Sequence, residues 1–207
     1  MLLTKIKTNI YRFNDQFFYG EMVGTYLIAL PDKIVLFDIP TYTKEIELHL
    51  RSYNKPLHAI LSHGSCGIKD GEIWQKNLGL KIYLHALDIH HAWLELKPDS
   101  IYQIPPLIDT SIEIIHTPGH SAGSVCLLEK THNVLFTGDT FGGTKNGAVR
   151  DFRKENHQYD DIPRRLHSCN KLLKYNFQSA LPFHYEAILK NAKESLRNFI
   201  QHSKNSS

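Results

Sequence analysis

Two segments in the second half of the chain carry side chains that bind divalent metal ions. The turn at residues 116–124 places His120 directly after a Pro-Gly pair, and a later apolar run ends in Asp139. A Leu-Pro-Phe-His segment further along the chain adds His184. Imidazole nitrogens and carboxylate oxygens are common ligands of zinc and iron. These residues therefore predict a metal site in which His120 and Asp139 also take part in catalysis.

A third segment with a histidine, residues 62–68, follows a short apolar strand in the first half of the chain. His63 is its imidazole, whereas Ser65, Gly67 and Ile68 offer no strong metal ligand. The segment could therefore complete the predicted site only in part.

The composition indicates an ordinary globular protein. The 207 residues are 42% apolar and 22% charged, and the formal net charge is +3. This length suits one domain, which we place at residues 1–207. No basic run is interleaved with aromatic residues, so nucleic acid is not an expected partner. No apolar run is long enough to cross a bilayer, so no membrane association is expected.

The cysteines and the first residues predict the compartment. Three widely spaced cysteines argue against a disulfide framework because their number is odd. Residues 1–10 alternate apolar with polar side chains and lack the apolar core of a secretory signal. A reducing cytoplasm is therefore the expected location.

Hydrophobic periodicity predicts two sets of strands and helices along the chain. The first set has strands at 23–30, 33–39, 57–62 and 81–84 and helices at 42–53, 71–78 and 86–96. The second set has strands at 111–115, 124–129, 133–136 and 179–181 and helices at 160–175 and 185–202. Each set describes a sheet that helices cover on one face, which is typical of a layered α/β fold.

The order of these motifs resembles that of the metallo-β-lactamase superfamily, and in particular its hydrolase branch with glyoxalase II and lactonases. The resemblance rests on the Thr-Pro-Gly-His-Ser turn, the Thr-Gly-Asp strand end and the Leu-Pro-x-His segment, together with Asp38 near the end of a strand. It implies an α/β fold, namely a four-layer αββα sandwich of two mixed sheets.

The resemblance also implies a ligand set. His63 matches the first histidine of the family's first metal motif, and three later family ligands fall on His120, Asp139 and His184. In that first motif the family has two further histidines and an aspartate, where this chain has Ser65, Gly67 and Ile68. The resemblance therefore implies one divalent ion at most, zinc or iron, with His63, His120, Asp139 and His184 as the metal-binding residues.

Three functions fit this reduced site. The first is hydrolysis of a small ester, thioester or lactone by water that the ion activates. The second is a catalytically inactive pseudoenzyme that binds a small-molecule ligand in the old cleft. The third is a mononuclear iron oxidoreductase that resembles persulfide dioxygenases, because two histidines and a carboxylate suit iron and oxygen chemistry. The sequence leaves the metal, the substrate and the oligomeric state open.

Overall fold

The computed structural model describes residues 1–18, 20–65, 70–91, 94, 96–154 and 160–205. The chain divides into two compact units, Met1–Gln103 and Ile104–Ser207. Each unit contains its own mixed sheet together with helices, so the predicted α/β class is confirmed. The assignment of residues 1–207 to one domain stays a prediction.

The first unit is built on a seven-stranded sheet with the order β1-β2-β5-β6-β7-β8-β9, beside a two-stranded ribbon of β3 and β4. β1, β2, β5 and β6 pair antiparallel, and the strands from β6 to β9 pair parallel. The bounds are β1 Leu3–Lys7, β2 Ile10–Phe13, β3 Phe17–Phe18, β4 Glu21–Met22, β5 Tyr26–Ala29, β6 Ile34–Phe37, β7 Leu57–Ile60, β8 Lys81–His85 and β9 Ser100–Tyr102.

Two helices make the crossovers from β6 to β7 and from β7 to β8 that these parallel strands require. Helix α1 (Lys44–Ser52) begins after Thr43, whose side chain accepts a hydrogen bond from the N–H of Ile46. Helix α2 (Gly71–Leu78) ends at Gly79, which adopts the left-handed φ of 64° that favours glycine at a helix end. These crossovers bring the carboxyl ends of β6, β7 and β8 to one edge of the sheet.

The second unit contains a four-stranded sheet with the order β10-β11-β12-β13. The first three strands pair antiparallel, and β13 pairs parallel with β12. Side chains from the sheet and from both helices form a buried apolar core that includes Leu135 and Leu196. The bounds are β10 Ile112–His116, β11 Val125–Glu129, β12 Val134–Gly138, β13 Ser179–Pro182, α3 Ile162–Leu172 and α4 Ala192–Asn205.

Two predicted helices differ from the structure. The helix predicted at 185–202 begins only at Ala192, because Ile188 exchanges backbone hydrogen bonds with Ala180, and Tyr185 and Asn191 have positive φ angles of 73° and 55°. The helix predicted at 86–96 is a short 3-10 helix at Ala86–Asp88, and its residues 92, 93 and 95 lie outside the described residues.

The helix at 71–78 and the hairpin of β5 and β6 agree with the predictions. None of the helices in the described ranges combines the length and the apolar character that a membrane crossing requires.

Candidate metal centre

The turn after β10 carries His120. The N–H of Thr117 donates to the carbonyl of Ser124 at 2.8 Å and so closes the base of the turn. Gly119 has a φ of +145°, and a Cβ at this position would lie 2.3 Å from the Cα of Arg165. Only glycine therefore allows the turn to approach the backbone of α3 this closely.

Helix α3 and the residue before it hold this turn through three carbonyl oxygens. The carbonyl of His116 accepts from Lys171 Nζ at 3.0 Å, and that of Pro118 accepts from Ser168 Oγ at 2.7 Å. The carbonyl of Gly119 accepts from the N–H of Asp161 at 2.7 Å. His120 therefore stands on a backbone that α3 fastens at three points.

Asp139 follows β12, and the parallel neighbour β13 brings His184 to it. The N–H of His184 donates to Oδ1 of Asp139 at 3.3 Å, and Nε2 of the His184 ring lies 3.9 Å from Oδ2. The predicted role of His184 as a metal ligand stays a prediction. His184 thus orients the carboxylate through its backbone and places an imidazole close by.

His120 and Asp139 meet inside the second unit. Nε2 of His120 lies 3.5 Å from Oδ2 of Asp139, and the two side chains are 18% and 10% exposed. The two residues offer ligand atoms close enough to share one ion, so they form a candidate His/Asp metal site. The identity of the metal stays open.

The other nitrogen of His120 faces a residue that the sequence did not single out. Nδ1 lies 2.8 Å from Oδ1 of Asp160, which is 2% exposed, and Oδ2 of Asp160 lies 2.6 Å from Nη1 of Arg165. Burial opposes protonation of the His120 ring. The hydrogen bond to Asp160 and the charge of Asp139 outweigh it, so the pKa of His120 is raised. The only sequence signal was a pair of aspartates at the start of a predicted helix.

His63 lies in the first unit, three residues after the end of β7, and is 2% exposed. Its Nδ1 hydrogen-bonds with Oγ of Ser62 at 2.8 Å. The backbone on either side is held by two carboxylates: the N–H of Ser62 donates to Asp38 at 2.7 Å, and that of Gly64 donates to Asp88 at 2.9 Å. The loop thus presents a buried, oriented imidazole.

Of the three positions at which this chain departs from the family's first motif, Ser65 is described, whereas Gly67 and Ile68 lie outside the described residues. Neither glycine nor isoleucine has a side-chain donor, so the predicted loss of ligands at these positions follows from the sequence itself. The role of His63 as a ligand stays a prediction.

The sequence profile of the Metallo-beta-lactamase superfamily (Lactamase_B) matches residues 81–190, which is more than half of the chain. The chain belongs to this superfamily. The matched range spans the His120 turn, Asp139 and His184. Membership of the glyoxalase II and lactonase branch stays a prediction.

Particular relatives are distant. The lactamase-like protein aptB of Emericella nidulans is 22% identical over 188 residues, which cover 86% of this chain and 56% of aptB. The acyl-coenzyme A thioesterase MBLAC2 of Gallus gallus is 30% identical over 87 residues, or 41% of this chain and 29% of that protein. The chain spans about half the length of the first curated relatives it matches, 56% and 45%.

Solved structures show the same fold. The DIM-1 metallo-β-lactamase, in a crystal exposed to ceftazidime, superposes with a TM-score of 0.75 at 16% sequence identity. The superposition covers 97% of this chain and 96% of DIM-1. At this identity the likeness establishes the metallo-β-lactamase fold.

Proposed function

We propose that the chain holds one divalent ion, zinc or iron, on His63, His120 and Asp139, and hydrolyses a small ester, thioester or lactone. His184 stands beside this set and holds Asp139. The observation that carries the proposal is the approach of His120 Nε2 to Asp139 Oδ2 at 3.5 Å. Two ligands at about 2.1 Å from a tetrahedral ion lie about 3.4 Å apart, so the pair fits a shared ion.

The donor set also fits one ion better than two. Two imidazoles and one carboxylate are the smallest common set that holds an ion and leaves coordination positions open. A second ion would have Asp139 and His184, since Gly67 and Ile68 bring no donor. We therefore propose a mononuclear site.

The bound ion would act as a Lewis acid and lower the pKa of a water molecule. The protein's own residues hold the ligands in place: His184 orients Asp139 through its N–H, and Asp160 orients the ring of His120. Asp139 and His120 are both mostly buried, and a site that excludes bulk water strengthens electrostatic interactions within it. These residues would thus keep the ligand side chains in place beside the acyl substrate without forming a covalent bond to it.

Among the substrates, a thioester is the first to test. Superfamily membership supports a hydrolase-like activity, and the distant relative MBLAC2 is an acyl-coenzyme A thioesterase. The proposed partner is accordingly a small acyl compound.

Metal content is the first test. Protein purified without added metal should contain close to one zinc or iron per chain by inductively coupled plasma mass spectrometry. His120→Ala and Asp139→Ala should lose this metal. His167→Ala should keep it, because His167 is an exposed histidine of α3 and does not belong to the candidate ligand group. Only trace metal in the wild type after reconstitution would sink the proposal.

Activity is the second test. The wild type should hydrolyse at least one member of a panel of aryl esters, acyl thioesters and lactones, and Asp139→Ala should fall to the background rate. If the protein contains iron, takes up oxygen with glutathione persulfide and shows no hydrolysis, the dioxygenase function is favoured over hydrolysis. Absence of both metal and turnover would instead favour a ligand-binding pseudoenzyme.

We also propose a reducing cytoplasm as the compartment. The two described cysteines, Cys126 and Cys169, are free thiols in the core of the second unit. Burial raises the pKa of Cys126 to about 11 and that of Cys169 to about 12, so both stay protonated near neutral pH. Cell fractionation of a tagged protein tests the assignment, and recovery outside the cytosolic fraction would contradict it.

A further inference from the structure

Asp160 and Arg165 make a buried ion pair behind His120. The Asp160 and Arg165 side chains are 2% and 3% exposed, and Nη1 of Arg165 lies 2.6 Å from Oδ2 of Asp160. A buried carboxylate and guanidinium are costly unless their hydrogen-bonding positions are filled. Here they are filled by the site itself, because the other oxygen of Asp160 accepts from His120 at 2.8 Å.

Arg165 reaches both loops of the candidate site. Its Nε donates to the carbonyl of Thr140 at 3.0 Å, and its Nη2 donates to the carbonyl of Asp139 at 2.5 Å. The guanidinium lies 4.2 Å from the centroid of the Phe152 ring, which covers one of its faces. The backbone of Arg165 also lies close to Gly119, because a Cβ on Gly119 would lie 2.3 Å from the Arg165 Cα. One side chain thus connects the backbone of Asp139 to the group that holds His120.

The hydrogen bond from His120 also determines which ring nitrogen carries the proton. An ionised carboxylate only accepts, so Nδ1 of His120 must be the donor. In the neutral ring Nε2 then carries a lone pair, and Nε2 is the nitrogen that faces Asp139. Histidines that bind metal through one nitrogen are commonly oriented through the other in this way.

We propose that Asp160 and Arg165 are a positioning pair that prepares His120 and Asp139 for one metal ion. Asp160 selects the ring tautomer with a lone pair on Nε2, and Arg165 holds Asp160 and the Asp139 backbone in register. This inference rests on the proposed function, because it takes Nε2 of His120 as the metal-binding atom. Neither residue touches the ion or the substrate.

The variant Asp160→Asn gives the sharpest test because it preserves shape and reverses one hydrogen bond. Arg165 can only donate, so the amide oxygen of the new side chain must face it. The amide NH₂ then faces Nδ1 of His120, which has to accept. The proton of the neutral ring moves to Nε2, and the nitrogen needed for metal is blocked.

Two measurements follow the change. In metal-free protein, ¹⁵N-detected imidazole spectra at a pH where the ring is neutral should show a protonated Nδ1 for His120 in the wild type and a protonated Nε2 in Asp160→Asn; His120→Ala assigns the signals. Competition with a chromophoric zinc chelator should show zinc affinity about 10- to 100-fold lower in Asp160→Asn. Arg165→Lys keeps the positive charge but lacks the separate guanidinium nitrogens that bind Asp160 and the carbonyls of Asp139 and Thr140, so it should also weaken zinc binding.

Asp161→Asn is the matched control. Asp161 is the neighbouring aspartate and caps α3: its carboxylate accepts from the N–H of Arg164 and pairs with the Arg164 guanidinium at 3.5 Å. It should leave both the tautomer and the zinc affinity unchanged. An unaltered tautomer and affinity in Asp160→Asn would overturn the inference. If Asp160→Asn moves the proton to Nε2 but the wild type binds no metal, the proposed function is rejected while the role of Asp160 in orienting His120 stands.

Discussion

The loop that carries His63 and the turn that carries His120 are both fastened by buried carboxylates, but the carboxylates hold different groups. In the first unit, Asp38 and Asp88 accept from backbone N–H groups on either side of His63. In the second unit, Asp160 accepts from the ring of His120 itself. The first arrangement keeps a loop in shape, and the second keeps one imidazole in a defined orientation.

This difference explains how one motif can lose ligands while its loop is retained. Backbone anchoring by Asp38 and Asp88 acts on the N–H groups of Ser62 and Gly64 and does not depend on the side chain at Ser65, so that side chain can change while the backbone around His63 stays held. Side-chain anchoring of His120 serves a purpose only where the imidazole is used. The second unit is therefore where we expect the metal function to be most sensitive to substitution.

The largest difference between the two regions should come from the glycines next to the two histidines. At Gly119 a Cβ would lie 2.3 Å from the backbone of Arg165 and φ is +145°, so Gly119→Ala combines overpacking with backbone strain. At Gly64 a Cβ would lie 2.5 Å from the Cβ of His91, but Gly64 has no left-handed φ, so Gly64→Ala adds overpacking without that backbone strain. We expect losses of about 3–5 kcal/mol for Gly119→Ala and about 1–3 kcal/mol for Gly64→Ala in urea unfolding.

Gly147→Ala is the control for backbone strain alone. Gly147 has a φ of +80° and nothing lies within 4 Å of a Cβ built there. The expected loss is about 1–2 kcal/mol. If Gly119→Ala destabilised no more than Gly147→Ala, the tight contact of the His120 turn with α3 would carry no energetic weight.

Much of the fold could be predicted because periodicity and turn residues report local structure. Helix α2 has the predicted bounds. The turn and strand-end contexts of His120 and Asp139 indicated one site, and the two side chains lie 3.5 Å apart. The start of α4 could not be predicted, because the apolar pattern continues through residues 185–191. There, pairing of Ile188 with Ala180 overrides it.

The groups behind His120 could not be predicted for a different reason. Asp160 lies 40 residues from His120, and a pair of aspartates before a helix usually indicates a helix cap. Asp161 does serve as that cap, so the local pattern was fully explained without Asp160. Arg165 reads as an ordinary helix residue, and only the packing of α3 on the Gly119 turn reveals its contacts.

A pH experiment tests a mostly buried carboxylate of the first unit. Glu47 of α1 is 3% exposed at its side chain, and hydrogen bonds from Tyr42, then Lys44 and Arg51, lower its pKa from 4.5 to about 2. A lowered pKa means that its stabilising contribution is present above pH 4.5 and is lost as the pH falls from about 4.5 to about 2. We expect the unfolding temperature of the first unit to drop over that interval.

Trp74 reports this transition, since its ring lies 4.9 Å from that of Tyr42. Its fluorescence is measured in Trp93→Phe, which leaves Trp74 as the single tryptophan. In Glu47→Gln the drop between pH 4.5 and 2 should be smaller. An equal drop in both proteins would mean that other carboxylates dominate the acid response.

The smallest expected effect concerns the group that orients His63. Ser62 Oγ hydrogen-bonds with Nδ1 of His63 at 2.8 Å, and this neutral bond should be weaker than the charged one from His120 to Asp160. Ser62→Ala should therefore lower zinc affinity by about 2- to 10-fold, the net worth of one neutral hydrogen bond. Chelator competition measures it, with Ser65→Ala as the control in the same loop.

The ranking of these variants decides between two descriptions of the site. If Ser62→Ala weakens zinc binding as much as Asp160→Asn, the two histidines are oriented with equal importance, and the second unit is not the more sensitive half. If neither Ser62→Ala nor His63→Ala changes the affinity while His120→Ala abolishes it, His63 is no ligand. The ion would then depend on His120, Asp139 and His184 of the second unit, and the first motif would have lost its metal function entirely.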